Sequence, residues 1–221
     1  AKRSDREASE GCVLAQENGE FAAVVALKCE TDFVAKNKDF VALTQDILNA
    51  ALANKPASKE ELLATALADG RTIQEHITDR IGVTGEKMEL GAYEFINGAS
   101  TISYIHPGNK LATIVAFNQA DVEHQMARDV AMQVAAMYPK YVSRDEVDAS
   151  YIEHEKEILL AQAKTENPEK PENIIEKMII GRLNKEMKEI CLLDQVYVQD
   201  SDLTVAKYVE KVAKENNANV T

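Results

Sequence analysis

The feature that most constrains the fold is a change of hydrophobic period within residues 21–54. Phe21–Leu27 is an apolar, β-prone run, whereas beyond residue 37 the apolar residues recur at spacings of three, four and seven. The polar segment Lys28–Asn37 lies between the two patterns, and a segment in that position must form a strand-to-helix corner. Thr31 or Asp32 is the expected N-cap, because a short side-chain oxygen can accept from the unpaired amides of the first helical turn.

Phe33 is the unusual residue of this corner, because a large apolar ring follows an acidic residue at a turn. Two interpretations are open. In the first, Phe33 is a hydrophobic staple that packs on the first turn of its own helix. In the second, the ring is a wedge presented to a partner, with Asp32 beside it as a charge.

The residues Thr31–Lys36, which read TDFVAK after an apolar strand and Cys29, resemble the signature of the elongation factor Ts family. Members of that family are nucleotide-exchange factors of elongation factor Tu, and the resemblance runs through most of the chain. It favours the wedge interpretation of Phe33 and implies elongation factor Tu as the protein partner. It also implies a set of residues that bind the partner and dislodge its Mg²⁺: Thr31, Asp32, Phe33 and Val34.

A second contact is implied at His106. The family carries a contact to the third domain of elongation factor Tu from a His in a Ser-Tyr-x-His pattern, which matches Ser103–His106 here. Pro107 departs from the small residue expected at the next position and affects the expected shape of the loop. From the residues alone, a solvated loop histidine is the alternative.

Composition limits the possible functions. Of 221 residues, 45% are hydrophobic and 28% charged, which is typical of a globular protein. The net charge of −12 argues against a nucleic-acid binder, since phosphate contacts need clustered Lys and Arg. Cys12, Cys29 and Cys191 lack any CxxC pair and indicate reduced thiols. No apolar run approaches the roughly 18 residues of a membrane span, so we expect a soluble, cytoplasmic protein without direct nucleic-acid or membrane contacts.

Local patterns predict the elements of the first 142 residues. Asn18-Gly19 between two apolar runs predicts a β-hairpin. Capping boxes that begin at Ser58 and Thr72 predict two short helices, with Gly70 and Gly82 as their stops. The predicted helices are 38–54, 59–68, 73–82 and one over about 122–137, and the predicted strands are 88–96, 101–105 and 111–118.

The second part of this region repeats the first. Placing Gly108 under Gly19 also places Asp121 under Asp32 and Val122 under Phe33. Two copies of one α+β unit are therefore expected, although any two strand-to-helix corners look alike. The second copy has no Phe at its corner, so the copies need not share a role.

After residue 142, two amphipathic patterns separated by Pro168 and Pro171 predict an antiparallel helical hairpin, where the resembling family has a protruding coiled coil. Ser143 is expected to open the first helix, and residues 192–198 to be extended. The predicted fold class is α+β, with two similar subdomains, each a small antiparallel sheet with helices, plus a protruding antiparallel helical hairpin. The expected domains are a linker (1–10), core subdomain N (11–86), core subdomain C (87–142), the hairpin (143–191) and a segment (192–221) that packs back on the core. The resemblance implies a further N-terminal domain and a terminal segment, so the chain is expected to be the core region.

No catalytic constellation is found. Cys29 and Asp32 share a loop without a histidine suited to act as a base, and His76, His124 and His154 fall on charged helix faces where we expect them to be solvated. Metal-binding HExxH spacing and a glycine-rich phosphate loop are absent. We expect no enzyme activity, no cofactor, no metal and no nucleotide bound by the chain itself. Three functions stay open: exchange factor for elongation factor Tu, scaffold or chaperone-like binder of that protein without exchange activity, and an enzyme that uses Cys29 and Asp32.

Overall fold

The predicted first hairpin consists of β1 (Glu10–Asn18) and β2 (Phe21–Cys29) in the computed structural model, which describes residues 5–216. Asn18 pairs with Phe21, so the two-residue loop begins at Gly19 rather than at Asn18. Gly19 has a φ of +66°, which glycine adopts without a steric penalty. Residues 1–4, which belong to the expected linker (1–10), lie outside the described residues, and so do residues 217–221.

The strands of the first unit form two antiparallel sheets. β3 (Glu89–Asn97) pairs with β2, which gives a three-stranded sheet in the order β1-β2-β3. β4 (Ser100–Ile105) and β5 (Ala112–Phe117) form a two-stranded sheet. β3 therefore shares a sheet with the first hairpin, although the predicted boundary at residue 87 groups it with the second. The division of the core into subdomains at that boundary stays a prediction.

The corner joins the first sheet to two helices, α1 (Asp32–Ala35) and α2 (Lys38–Asn54), the second with the bounds predicted for it. One stripe of α2 is buried in the same apolar cluster as the inward side chains of β2. The buried α2 residues with this helical spacing are Phe40, Leu43, Ile47 and Ala51. This packing fixes the C-terminal end of β2, where the corner begins.

The next two helices are α3 (Lys59–Ala64) and α4 (Ile73–Thr84). α3 is shorter than predicted because Thr65 takes an extended conformation. Gly82 does not end α4, and that prediction is wrong. The helix continues to Gly85, whose φ of +73° is the left-handed conformation that terminates helices.

α5 (His124–Met137) follows the second hairpin, so the order of hairpin and helix occurs twice, as the repeat predicts. Pro139 lies shortly after its end. The mixed α/β class with small antiparallel sheets is confirmed. None of the helices within residues 5–216 is long and apolar enough to cross a membrane.

The described chain divides after Ala135 into two compact units. The second contains the predicted hairpin, α6 (Ala149–Glu166) and α7 (Glu172–Ile190). Ser143 does not open α6, because the chain first makes a 3₁₀ turn over Arg144–Glu146. The hairpin is held by an apolar cluster of Ala163, Ile175 and Ile179.

After α7, the second unit continues with a 3₁₀ turn at Leu192–Asp194 and two short strands, β6 (Val196–Tyr197) and β7 (Asp200–Thr204). α8 (Val205–Glu215) follows, and the Tyr197 ring stacks on the Tyr208 ring with 4.2 Å between centroids. The predicted extended segment 192–198 is thus partly a turn. The expected boundaries at residues 143 and 192, and the packing of residues 192–221 on the core, stay predictions.

Candidate functional site

Thr31 is the N-cap of α1. Its backbone is extended (φ −119°, ψ 153°), and its Oγ1 accepts from the Val34 amide at 3.4 Å. Asn37 caps α2 in turn, with its Oδ1 accepting from the Asp39 amide at 2.9 Å. Because each short segment has its own cap, the chain changes direction at both positions instead of continuing as one helix.

Phe33 projects from this single helical turn into solvent, with 82% of its surface exposed. Its neighbours face the other way, since Ala35 is buried and Val34 packs against the core cluster. The interpretation of Phe33 as a staple on its own helix is therefore wrong. Phe33 is the most exposed large hydrophobic side chain in the described part of the chain.

Asp32 lies beside Phe33, with its Oδ2 3.2 Å from the Lys36 Nζ and both side chains at least half exposed. An exposed ion pair of this kind contributes only about 0–1 kcal/mol. The Asp32 carboxylate can therefore leave Lys36 for a stronger donor at little cost. The corner presents an apolar ring and an adjacent negative charge.

Glu86, which sequence reasoning missed, is hydrogen bonded to the base of the corner. Its Oε1 accepts from the backbone amides of Glu30 (3.1 Å) and Thr31 (2.9 Å), and its Oε2 accepts from the Thr31 hydroxyl (2.7 Å). The Glu30 carboxylate in return accepts from the Lys87 amide at 2.6 Å. No local sequence pattern indicates this pairing, because the partners are 55 or more residues apart.

Cys29 ends β2 directly before the corner and is fully buried. Its Sγ donates to the Thr31 carbonyl at 3.2 Å. Burial, followed by the negative charge of Glu86, raises the pKa of the Cys29 thiol to about 11. A protonated, buried thiol is a poor nucleophile, which disfavours the enzyme hypothesis.

His106 lies at the tip between β4 and β5 and is exposed. Its Nδ1 is 2.9 Å from the Tyr104 hydroxyl, and the Arg128 guanidinium lies over the Tyr104 ring, 5.5 Å from its centroid. When the phenol donates to Nδ1, the neutral imidazole carries its proton on Nε2. His106 can then offer that N–H as a donor.

The His106 loop is a closed turn despite Pro107. The His106 amide donates to the Leu111 carbonyl at 2.8 Å, and Gly108 has a φ of +97°. The Asn109 carbonyl accepts from the Val13 amide of β1 at 2.8 Å. The tip is therefore tied to the first sheet.

Glu10 places the corner and the His106 tip at the same end of the first unit. In the hairpin Glu10 pairs with Cys29, the last residue before the corner. Its carboxylate forms an ion pair with Lys110, in the loop that begins at His106. Glu10 therefore links the His106 loop to the strand end that precedes the corner.

His76 differs from its expected solvated state. Its Nε2 is 3.0 Å from an oxygen of Asp69, and the imidazole is only partly exposed. This hydrogen bond lowers the pKa of the Asp69 carboxyl. His124 and His154 are exposed, as expected. Within residues 5–216, no group of three or more His, Cys, Asp and Glu side chains is arranged to hold a metal ion.

The sequence is similar to known proteins over most of its length. Residues 30–221 match the family model described as Elongation factor TS. The chain is 62% identical over 214 residues to the elongation factor Ts of Porphyromonas gingivalis, which covers 97% of this chain and 77% of that protein. It is 50% identical over 210 residues to the elongation factor Ts of Azobacteroides pseudotrichonymphae, covering 95% of this chain and 76% of the relative. The elongation factor Ts of Parabacteroides distasonis is 40% identical over 270 residues, covering 97% and 81% respectively.

Proposed function

The chain belongs to the elongation factor Ts family, and on that basis we propose that it is a guanine-nucleotide exchange factor for elongation factor Tu in translation elongation. Its partner is then a protein, reached in the cytoplasm without direct nucleic-acid or membrane contacts. The nucleotide belongs to the partner, and the chain makes and breaks no covalent bond.

Exchange activity of this kind is a matter of differential binding. A factor that binds the nucleotide-free partner better than the nucleotide-bound one weakens nucleotide binding by the same factor. Binding of the nucleotide-associated Mg²⁺ is sensitive to small structural changes, because Mg²⁺ demands near-ideal octahedral coordination. A small displacement of its surroundings therefore weakens the hold on GDP.

The exposure of Phe33 is the observation that carries the proposal. Insertion of its ring between elements of the GTPase domain near the Mg²⁺ site gains about 1.5–3 kcal/mol of burial that the free factor lacks. The Asp32 carboxylate competes, electrostatically or for hydrogen bonds, with the groups around the Mg²⁺ site. Thr31 and Val34 hold the shape of the corner, by the cap and by packing on the core respectively.

A second contact is needed on energetic grounds. A stimulation of about 300-fold corresponds to about 3.5 kcal/mol of coupling, which exceeds what one phenyl ring supplies. His106 meets this need with an exposed imidazole at the same end of the unit. The helical hairpin adds area on other parts of the partner.

The test is the Phe33→Ala variant in a stopped-flow assay of fluorescent GDP release from elongation factor Tu. We expect stimulated release to fall about 10- to 100-fold, in line with the lost burial. Tyr138→Ala is the matched control, since it removes an aromatic ring that is 70% exposed in the second unit and should leave release unchanged. Unaltered release by Phe33→Ala would refute the wedge.

Binding and release must be measured separately. Titration calorimetry of the wild-type chain against elongation factor Tu shows whether a complex forms. A tight complex without accelerated GDP release would identify a scaffold or chaperone-like binder instead of an exchange factor.

A further inference from the structure

We propose that Glu86 is a positioning residue for the exchange corner, holding Thr31 so that Asp32 and Phe33 point in one fixed direction. The inference rests on the proposed function and extends it to a residue that touches no partner atom. Its carboxylate receives three hydrogen bonds from the base of the corner.

The bonds to Glu86 satisfy groups that the corner leaves unpaired. β2 ends at Cys29, so the amides of Glu30 and Thr31 have lost the sheet as their partner. Both donate to one oxygen of Glu86, while the Thr31 hydroxyl donates to the other. Hydrogen bonds to an ionised carboxylate are about twice as strong as neutral ones. Glu86 therefore fixes both the backbone and the side chain of the residue that caps α1.

Glu86 is itself held by rigid structure. Gly85 ends α4 with its amide bonded to the Ile81 carbonyl at 2.9 Å. The Glu86 amide lies 3.3 Å from the Thr84 hydroxyl, and the next residue, Lys87, donates its amide to Glu30. Met88 then enters the buried core. The position of the corner is thus set by the α4–β3 connection.

The need for such an anchor follows from the size of α1. A four-residue turn is too short to be stable on its own, and the exposed Phe33 ring gains no packing that would orient it. The Thr31 hydroxyl donates to Glu86 and accepts from Val34, so one atom links the anchor to the helical turn. A corner without the anchor adapts to both states of the partner and so discriminates less between them.

The experiment compares variants in the GDP-release assay with elongation factor Tu. Glu86→Ala should lower the maximal stimulated rate about tenfold, as expected for the loss of a group of charge-assisted hydrogen bonds. Glu86→Gln keeps an acceptor for the two amides and should retain most of the activity. Glu89→Ala is the control, because it removes an exposed carboxylate from the adjoining strand and should behave as the wild type.

A double-mutant cycle distinguishes the proposed positioning role of Glu86 from a purely structural role. If Glu86 acts through the corner, Glu86→Ala should lower release by a smaller factor in the Phe33→Ala background than in the wild type, because only Asp32 is left to position. Amide hydrogen exchange should also speed up at Val34 and Lys36 in Glu86→Ala, while Ile47 in α2 keeps its protection. Should Glu86→Ala fold poorly, the isosteric Thr31→Val removes the hydroxyl that links Glu86 to α1, keeps the two amide bonds to Glu86, and should lower the release rate by a smaller factor.

Two results would overturn the inference: full release activity in Glu86→Ala, or independent, multiplicative losses in the double variant. An inactive Phe33→Ala beside a fully active Glu86→Ala removes only the positioning role. A fully active Phe33→Ala removes the wedge role of the ring, whereas a wild-type chain that does not accelerate GDP release removes the proposed exchange function itself. The two failures are thus distinguishable.

Discussion

Cys29, directly before the corner, and Phe33, four positions later, lie in opposite environments. Cys29 is fully buried, whereas Phe33 is 82% exposed. The sequence predicts the corner between them, because the hydrophobic period changes there. It does not decide the direction of Phe33 without the resemblance, because a staple and a wedge have the same local pattern. The exposure of the ring depends on Val34 and Ala35 filling the inward positions of α1.

Cys29 gives a prediction that concerns a single thiol. Its folded pKa is about 11 against an ordinary 9.0, so native protein at pH 8 should react slowly with iodoacetamide at this position and keep its exchange activity. The folded state binds the Cys29 thiol proton more tightly than the unfolded state does. The contribution of this thiol to the free energy of unfolding is therefore complete below pH 9 and is lost as the pH rises towards 11. Mass spectrometry of the Cys29 peptide measures the modification, with urea-unfolded protein as the reactive control. Rapid alkylation that abolishes function would instead support a reactive cysteine.

At the scale of elements, the capping signal at Thr72 predicts the start of α4 correctly, whereas the Asn18-Gly19 and Ser143 signals are displaced from the observed turn and helix start. Thr72 and Glu75 form the predicted reciprocal capping box, at 3.2 and 2.7 Å. The prediction that α4 ends at Gly82 is wrong. The local sequence does not distinguish a glycine inside a helix from a glycine that ends it, because the difference depends on the surrounding structure. Glu86 was not predictable at all, since its partners come from a distant segment and any surface Glu has the same local sequence pattern.

The capping box of α4 can be tested with Thr72→Ala. Loss of the hydroxyl acceptor should cost about 1 kcal/mol, seen as faster native-state hydrogen exchange in the first turn of α4. Thr78→Ala is the control, because its hydroxyl donates to the Gln74 carbonyl and accepts from the Gln74 side-chain amide, both within the helix, and alanine is the better helix former. GDP release should be unchanged in both, since Gly85 and Glu86 lie at the opposite end of α4. Slower release by Thr72→Ala would mean that the helix start also affects the corner.

At the scale of the molecule, the repeat predicted two hairpins, each followed by a helix, and the structure contains both. The pairing of β3 with the first hairpin was not predicted, because strand partners far apart in sequence leave no local pattern. This pairing brings the α4–β3 connection, and with it Glu86, next to the corner. Glu10 brings the His106 loop to the same end. The proposed interaction surface therefore arises from long-range pairing, although its central motif is local.

The proposed contacts at Phe33 and His106 should contribute independently to binding. Phe33 lies in α1 and His106 in the β4–β5 loop, and different hydrogen bonds hold the two segments. Their contributions to binding nucleotide-free elongation factor Tu should therefore add in free energy. His106→Ala should weaken the complex more than it lowers the maximal release rate. The affinity loss of Phe33→Ala/His106→Ala should equal the product of the two single losses, measured by titration calorimetry.

The outcomes of this cycle separate the roles of the two residues. Wild-type affinity of His106→Ala would remove the second contact. A double variant no weaker than Phe33→Ala would mean that His106 acts only through the corner, as we propose for Glu86. Additive losses would instead support two independent contacts, in which the coupling energy that one ring cannot supply is shared across one end of the first unit.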